Sequence, residues 1–102
     1  MLIIPEAAME EWSQEHASAK NALQRWAAII RSANYERPMM LKEHFPSADF
    51  VEVASGRRVV VFNIKGNDYR LIASVNFDFR AVTLHEFLTH AEYSKNKWQK
   101  NL

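Results

Sequence analysis

The sequence predicts an α+β domain: two N-terminal helices packed on one face of a small, mainly antiparallel β-sheet, with a short helix near the C-terminal end. Three observations predict it. Apolar residues recur at helical spacing before Pro46. After Pro46 the chain turns to runs rich in β-branched and aromatic residues. Turn-forming residues separate those runs, with glycine only at Gly56 and Gly66. A length of 102 residues suits a single domain spanning 1–102. Folding such a chain buries roughly 65% of its extended surface, enough for one modest core.

The elements follow in order. Leu2-Ile3-Ile4 reads as a short edge strand. Pro5 suits the first position of a helix, where its missing N–H costs nothing, and Glu6 favours the positive helix start. Met9, Trp12 and His16 follow at helical spacing, with Glu10, Glu11 and Glu15 on the other side. Ser18 is the expected N-cap of a second helix. That helix carries the stripe Ala22, Leu23, Trp26, Ile29, Ile30 and Ala33, and Asn34 can end it. Pro38 opens a helical turn with Leu41 and Phe45, which Pro46 stops. Strands are expected over 50–53, 59–64, 69–77 and 81–88. Lys65-Gly66-Asn67-Asp68 marks a tight hairpin. Residues 91–98 form a last helical turn, with Trp98 folding back. The helices must cover one sheet face, which leaves the other free to carry function.

Composition excludes several classes. With 48% hydrophobic and 25% charged residues the chain is not disordered. The absence of cysteine excludes a disulfide scaffold, a thiolate zinc site and a cysteine nucleophile, and it suits a reducing cytosol. The start lacks the pattern of a signal peptide, and the longest apolar runs, 26–30 and 59–62, are too short for a bilayer. These features predict a cytoplasmic chain with no membrane partner.

The formal net charge of +1 argues, as a total, against nucleic acid. Its distribution does not. Residues 1–36 hold three basic and five acidic side chains, and residues 37–102 hold ten and seven. Within 57–70 there are four basic residues (Arg57, Arg58, Lys65, Arg70) against Asp68. A phosphate senses the local field over about 8 Å at physiological salt, so the basic segment outweighs the sum.

Period 2 places Arg70, Ile72, Ser74 and Asn76 on one face of their strand. Arg70 is then either half of a salt bridge or a planar fork for a phosphate. Lys65 is a turn lysine beside it. His90, Glu92 and Tyr93 follow the last strand closely. They are capping residues, or a proton donor, a proton acceptor and a stacking ring in one patch. His16, His44 and His85 have no helical i, i+4 partner, so no metal site is expected. There is no glycine-rich phosphate loop and no nucleophile elbow.

The string Val59-Val60-Val61-Phe62-Asn63-Ile64-Lys65-Gly66-Asn67-Asp68-Tyr69-Arg70-Leu71 resembles the signature of the HigB toxins, within the RelE-like superfamily of mRNA interferases. The family pattern there runs approximately V-F-N-I-K-G-N-x-Y-R-L. Thr89-His90-Ala91-Glu92-Tyr93 is similar to the family's T-H-x-E-Y, and residues 38–50 match its region between helices and sheet more loosely. The resemblance implies a RelE-like fold and a ribosome-dependent endoribonuclease, the toxin of a type II toxin–antitoxin pair. Such enzymes need neither metal nor cofactor: the 2′-hydroxyl attacks the neighbouring phosphate. Carried over, Arg70 is the phosphate clamp, His90 and Tyr93 serve acid–base chemistry and base stacking, Lys65 assists as a cation and Glu92 is a possible base. Arg57, Arg58, Lys42 and His85 are the expected RNA contacts. The implied partners are mRNA, the ribosome and a HigA-like helix-turn-helix antitoxin, with operator DNA reached only through that antitoxin. Two positions depart from the family: Ser94 stands where Asp is common, and His85 where a basic residue is common. They leave open a non-cutting RNA- or ribosome-binding module, and a protein-interaction domain of the same fold is the third reading.

Overall fold

Residues 1–102 are described by a computed structural model. Strand β1 (Leu2–Ile4) leads into helix α1 (Glu6–Glu15), and helix α2 (Lys20–Ser32) follows after a 3₁₀ turn at Ala17–Ala19. Helix α3 (Pro38–His44) precedes strands β2 (Asp49–Glu52), β3 (Arg58–Ile64), β4 (Tyr69–Asn76) and β5 (Ala81–Thr89). Helix α4 (His90–Ser94) and a 3₁₀ turn at Lys97–Asn101 complete the chain. The sheet order is β1-β5-β4-β3-β2. Only β1 pairs in parallel, on β5, so the sheet is mainly antiparallel as predicted.

The α2 stripe does what its spacing predicts. Leu23, Trp26 and Ile30 are buried against Phe62 and Leu71 of the sheet, with Trp26 edge-on to Phe62 at 5.3 Å. Ala27 joins them, while Ile29 lies outside the stripe and is exposed. Two helix starts differ from expectation. Pro5 is the N-cap of α1 rather than its first helical residue. Ser18 does not cap α2; it sits in the preceding 3₁₀ turn, and its hydroxyl meets the Tyr69 hydroxyl at 3.0 Å. A tertiary partner has outcompeted the local backbone for that hydroxyl.

The face away from the helices is not free, and this corrects the expectation that it would be. It carries a second small core of Val53, Val59, Val61, Ile72 and Trp98. Trp98 folds back as predicted, but it covers the sheet, being only 3% exposed. Its indole N–H donates to the Tyr93 carbonyl at 3.2 Å, and the Ser55 hydroxyl donates to the Leu102 carbonyl at 2.8 Å. The C-terminal segment is thereby strapped across the middle of that face. What stays open is one end of the sheet, where the β3–β4 hairpin meets the start of α4.

Candidate active site

Period 2 is kept through the first half of β4. Leu71 and Ala73 enter the main core, and Ile72 enters the second one. Arg70 therefore shares the face of Ile72, opposite Asn63 of β3 and Leu88 of β5. The hairpin before it turns through Lys65 and Gly66 in the left-handed region, φ 54° and 64°. Glycine tolerates this at no steric cost, which is the reason for Gly66.

The hairpin loop organises the site. Arg70 Nη1 donates to the carbonyls of Asn67 and Tyr69, both at 3.1 Å. The Asp68 carbonyl accepts from the His90 backbone N–H at 2.9 Å, which ties the start of α4 to the loop. Arg70 Nη2 lies 3.4 Å from His90 Nδ1. A guanidinium has only donors, so Nδ1 accepts, and the proton of the neutral ring sits on Nε2. The guanidinium carbon stands 5.4 Å from the centre of the Tyr93 ring, a cation–π distance. Tyr93 also stacks on Trp98, at 5.3 Å and 18°. Of the five guanidinium N–H donors, three have partners in these contacts, which leaves two for an anion.

Glu92 and Thr89 form a reciprocal capping box. The Thr89 N–H donates to Glu92 Oε1 at 2.9 Å, and the Glu92 N–H donates to Thr89 Oγ1 at 3.2 Å. The hydrogen bond from the Thr89 backbone, foremost, holds the Glu92 carboxyl below its ordinary value. A carboxylate so held is a weak base and a good anchor. Ser94 closes the same helix by donating to the His90 carbonyl at 2.9 Å. Thr89→Ala should therefore cost about 1 kcal/mol of stability, the usual worth of such a cap. The part contributed by Glu92 is complete above the ordinary carboxylate range. It is lost as pH falls through the lowered value. Thermal melts of the wild type, Thr89→Ala and Glu92→Ala at pH 7 and pH 3 check both: the gap between wild type and Glu92→Ala should shrink at the lower pH.

The remaining sequence-predicted residues are spread out. Lys65 is exposed at the hairpin, at the Arg70 end of the sheet. Arg57 and Arg58 stand at the opposite end, beyond the six residues of β3 that span about 20 Å. Lys42 lies on α3, whose Leu41 packs into the core on the helix side. His85 occupies a β-bulge: Ile72 pairs with Glu86 and Ala73 with Leu84, so His85 has no partner across the ladder. Its Nε2 meets the Ser74 hydroxyl at 2.6 Å. Burial first, and the charge of Arg57 second, lower its pKa, so the ring is neutral at pH 7. No three His, Asp or Glu side chains gather closely enough to hold a metal ion. The largest cleft, about 540 Å³ between Pro38, Phe50, Arg58 and Phe77, gathers mainly apolar side chains at the far end of the sheet.

Sequence reasoning missed Glu86. The bulge turns it to the Arg70 face, beside Leu88 and Trp98 at a cleft of about 260 Å³. Its Oε2 is buried without a hydrogen-bond partner. Burial first, then the charge of Glu92, raises its pKa. No glycine or proline announces the bulge in the sequence.

Comparison with known proteins points to one family. The model of a family described as HigB_toxin, the RelE-like toxic component of a toxin–antitoxin system, matches residues 19–96. The mRNA interferase toxin HigB of Escherichia coli (strain K12) is 29% identical over 93 residues, covering 91% of this chain and 88% of that protein. The mRNA interferase HigB of Shigella flexneri matches to the same extent. The mRNA interferase HigB of Escherichia coli O6:H1 is 27% identical over 95 residues, covering 93% and 90%.

Proposed function

The chain belongs to the HigB toxin family, RelE-like toxic components of toxin–antitoxin systems, and from that premise we propose that it is a ribosome-dependent mRNA endoribonuclease acting as a single toxin domain over 1–102. The observation that carries the reading is the convergence of Arg70, His90 and Tyr93 at the hairpin end of the sheet. Internal attack by a 2′-hydroxyl needs a base, a cation on the developing phosphorane charge and an acid for the leaving 5′-oxygen. Arg70 supplies the cation through its two spare donors. His90, held 3.4 Å away, is placed to move a proton at the same phosphate. Tyr93 supports both and offers ring edge to a base, because Trp98 and Arg70 already pack against the ring. Glu92 positions these residues through the cap. Lys65 adds positive charge at the hairpin, and Arg57 and Arg58 form a separate basic patch at the other end of the strand. Lys42 and the neutral His85 contribute less to gripping RNA.

A net charge of +1 gives little long-range field for free RNA. It suits an enzyme that meets mRNA already held by a ribosome. The partner of a toxic component is its antitoxin, here a HigA-like helix-turn-helix protein through which the pair would reach operator DNA. Induced expression should arrest growth, and 5′-end mapping should show new cuts within translated mRNA. Both should vanish in His90→Ala. Full toxicity of that variant would overturn the site, and efficient cutting of naked RNA at physiological salt would overturn ribosome dependence.

A further inference from the structure

On the face of β3 away from the helices the side chains run Val59, Val61, Asn63. The two valines enter the second core, and the third position carries an amide instead. Asn63 stands directly opposite Arg70 in the register, so the two share a face. Cross-strand neighbours of this kind have Cβ atoms about 4.5–5.5 Å apart. The Arg70 guanidinium turns toward the β3–β4 hairpin, where the carbonyls of Asn67 and Tyr69 hold it. Asn63 is the last side chain that β3 presents on this face before that hairpin. Ile64 after it enters the main core, and Lys65 begins the turn. Arg70, Thr89, Glu92 and Ser94 all bond to neighbouring residues. Asn63 is half-buried, and its amide makes no hydrogen bond within the protein.

We propose that Asn63 is a further catalytic residue, whose side-chain N–H donates to a non-bridging oxygen of the phosphate that Arg70 clamps. The inference rests on the ribonuclease reading above. As the 2′-oxygen adds to phosphorus, negative charge grows on the two non-bridging oxygens. Donors fixed beside them before reaction stabilise that charge more than they stabilise the starting diester. The residue type suits the position. Opposite charges are the favoured pair across a ladder, so a carboxylate here would bind Arg70 and close it to phosphate. A valine would extend the second core, as Val59 and Val61 do. The amide does neither: it leaves the guanidinium free and adds a neutral donor next to it. An asparagine side chain is short, so it meets the group that Arg70 holds and not a nucleobase one ribose away. It keeps its proton throughout and takes no part in the transfer between the 2′-hydroxyl and the leaving 5′-oxygen.

The test is single-turnover cleavage on programmed ribosomes by wild type, Asn63→Ala and Asn63→Asp. Asn63→Ala should lose about 100-fold in rate with ribosome binding unchanged. A second substrate separates a contact with the phosphate from a structural role: mRNA with sulfur in place of one non-bridging oxygen at a mapped cut site, each diastereomer in turn. Sulfur is a weak hydrogen-bond acceptor. One diastereomer should therefore slow the wild type, and that slowing should shrink in Asn63→Ala. An Ala variant as fast as wild type overturns the proposal. So does a slowing by sulfur that is the same in wild type and variant, or a loss of rate that depends on which base flanks the cut. Should Asn63→Ala melt lower than wild type, Asn63→Asp decides, being of the same shape. Its loss should be at least as large, and a wild-type rate for it overturns the proposal. If the wild type itself cuts nothing on ribosomes, the ribonuclease reading fails and this inference with it. Cutting by wild type with Asn63→Ala unaffected overturns this inference alone.

Discussion

Arg70→Ala should lower the cleavage rate by about 100- to 1,000-fold, the usual consequence of removing one preorganised donor to transition-state charge. Two of its N–H donors are free, and the others are held by Asn67, Tyr69 and His90, so the guanidinium is oriented before substrate arrives. Arg70→Lys should recover only part of the loss, because an ammonium keeps the charge but lacks the planar fork. The side chain is partly exposed and forms no salt bridge, so the fold should survive both changes. Single-turnover cleavage on programmed ribosomes, with a thermal melt as control, reads the effect. A wild-type rate for Arg70→Ala would remove the clamp from the account.

Trp98→Ala should be the most damaging change outside the main core. The indole is buried to 3% exposure, supports the second core against Val59, Val61 and Ile72, and stacks on Tyr93. Removing such a side chain costs about 3–5 kcal/mol. At roughly 4–8 °C per kcal/mol for a domain of this size, the melting temperature should fall by more than 10 °C. Tyr93 would lose one of its two packing partners, so activity should drop even below the new melting point. A melt within 2–3 °C of wild type, about the effect of a surface change, would show that the strap is not part of the folded core.

Much of this architecture was legible because local signals agreed with tertiary demands. The α2 stripe of Leu23, Trp26 and Ile30, the hairpin at Lys65-Gly66 and the four strands after Pro46 each satisfy one spacing rule and one core. The misses share a cause. Ser18 reads as a cap until Tyr69, 51 residues away, claims its hydroxyl. The second sheet face looks open until Trp98 covers it, which is a long-range packing event. Glu86 stays hidden because the bulge at His85 shifts the register with no residue type that advertises it. Glu92 is a different case. Thr89-His90-Ala91-Glu92 carries the S/T-x-x-E pattern of a capping box, so its structural duty was readable in the motif that suggested chemistry.

Both the clamp and the proton-transfer groups exist, on this account, to let an RNA 2′-hydroxyl attack its own phosphate. End-group analysis of the fragments released from translated mRNA tests that most directly. Fragments downstream of the cut should carry a 5′-hydroxyl, and upstream fragments a 2′,3′-cyclic phosphate or its 3′-phosphate product. A 5′-phosphate on the downstream fragments would mean that water or another nucleophile attacks from outside, and would contradict the account.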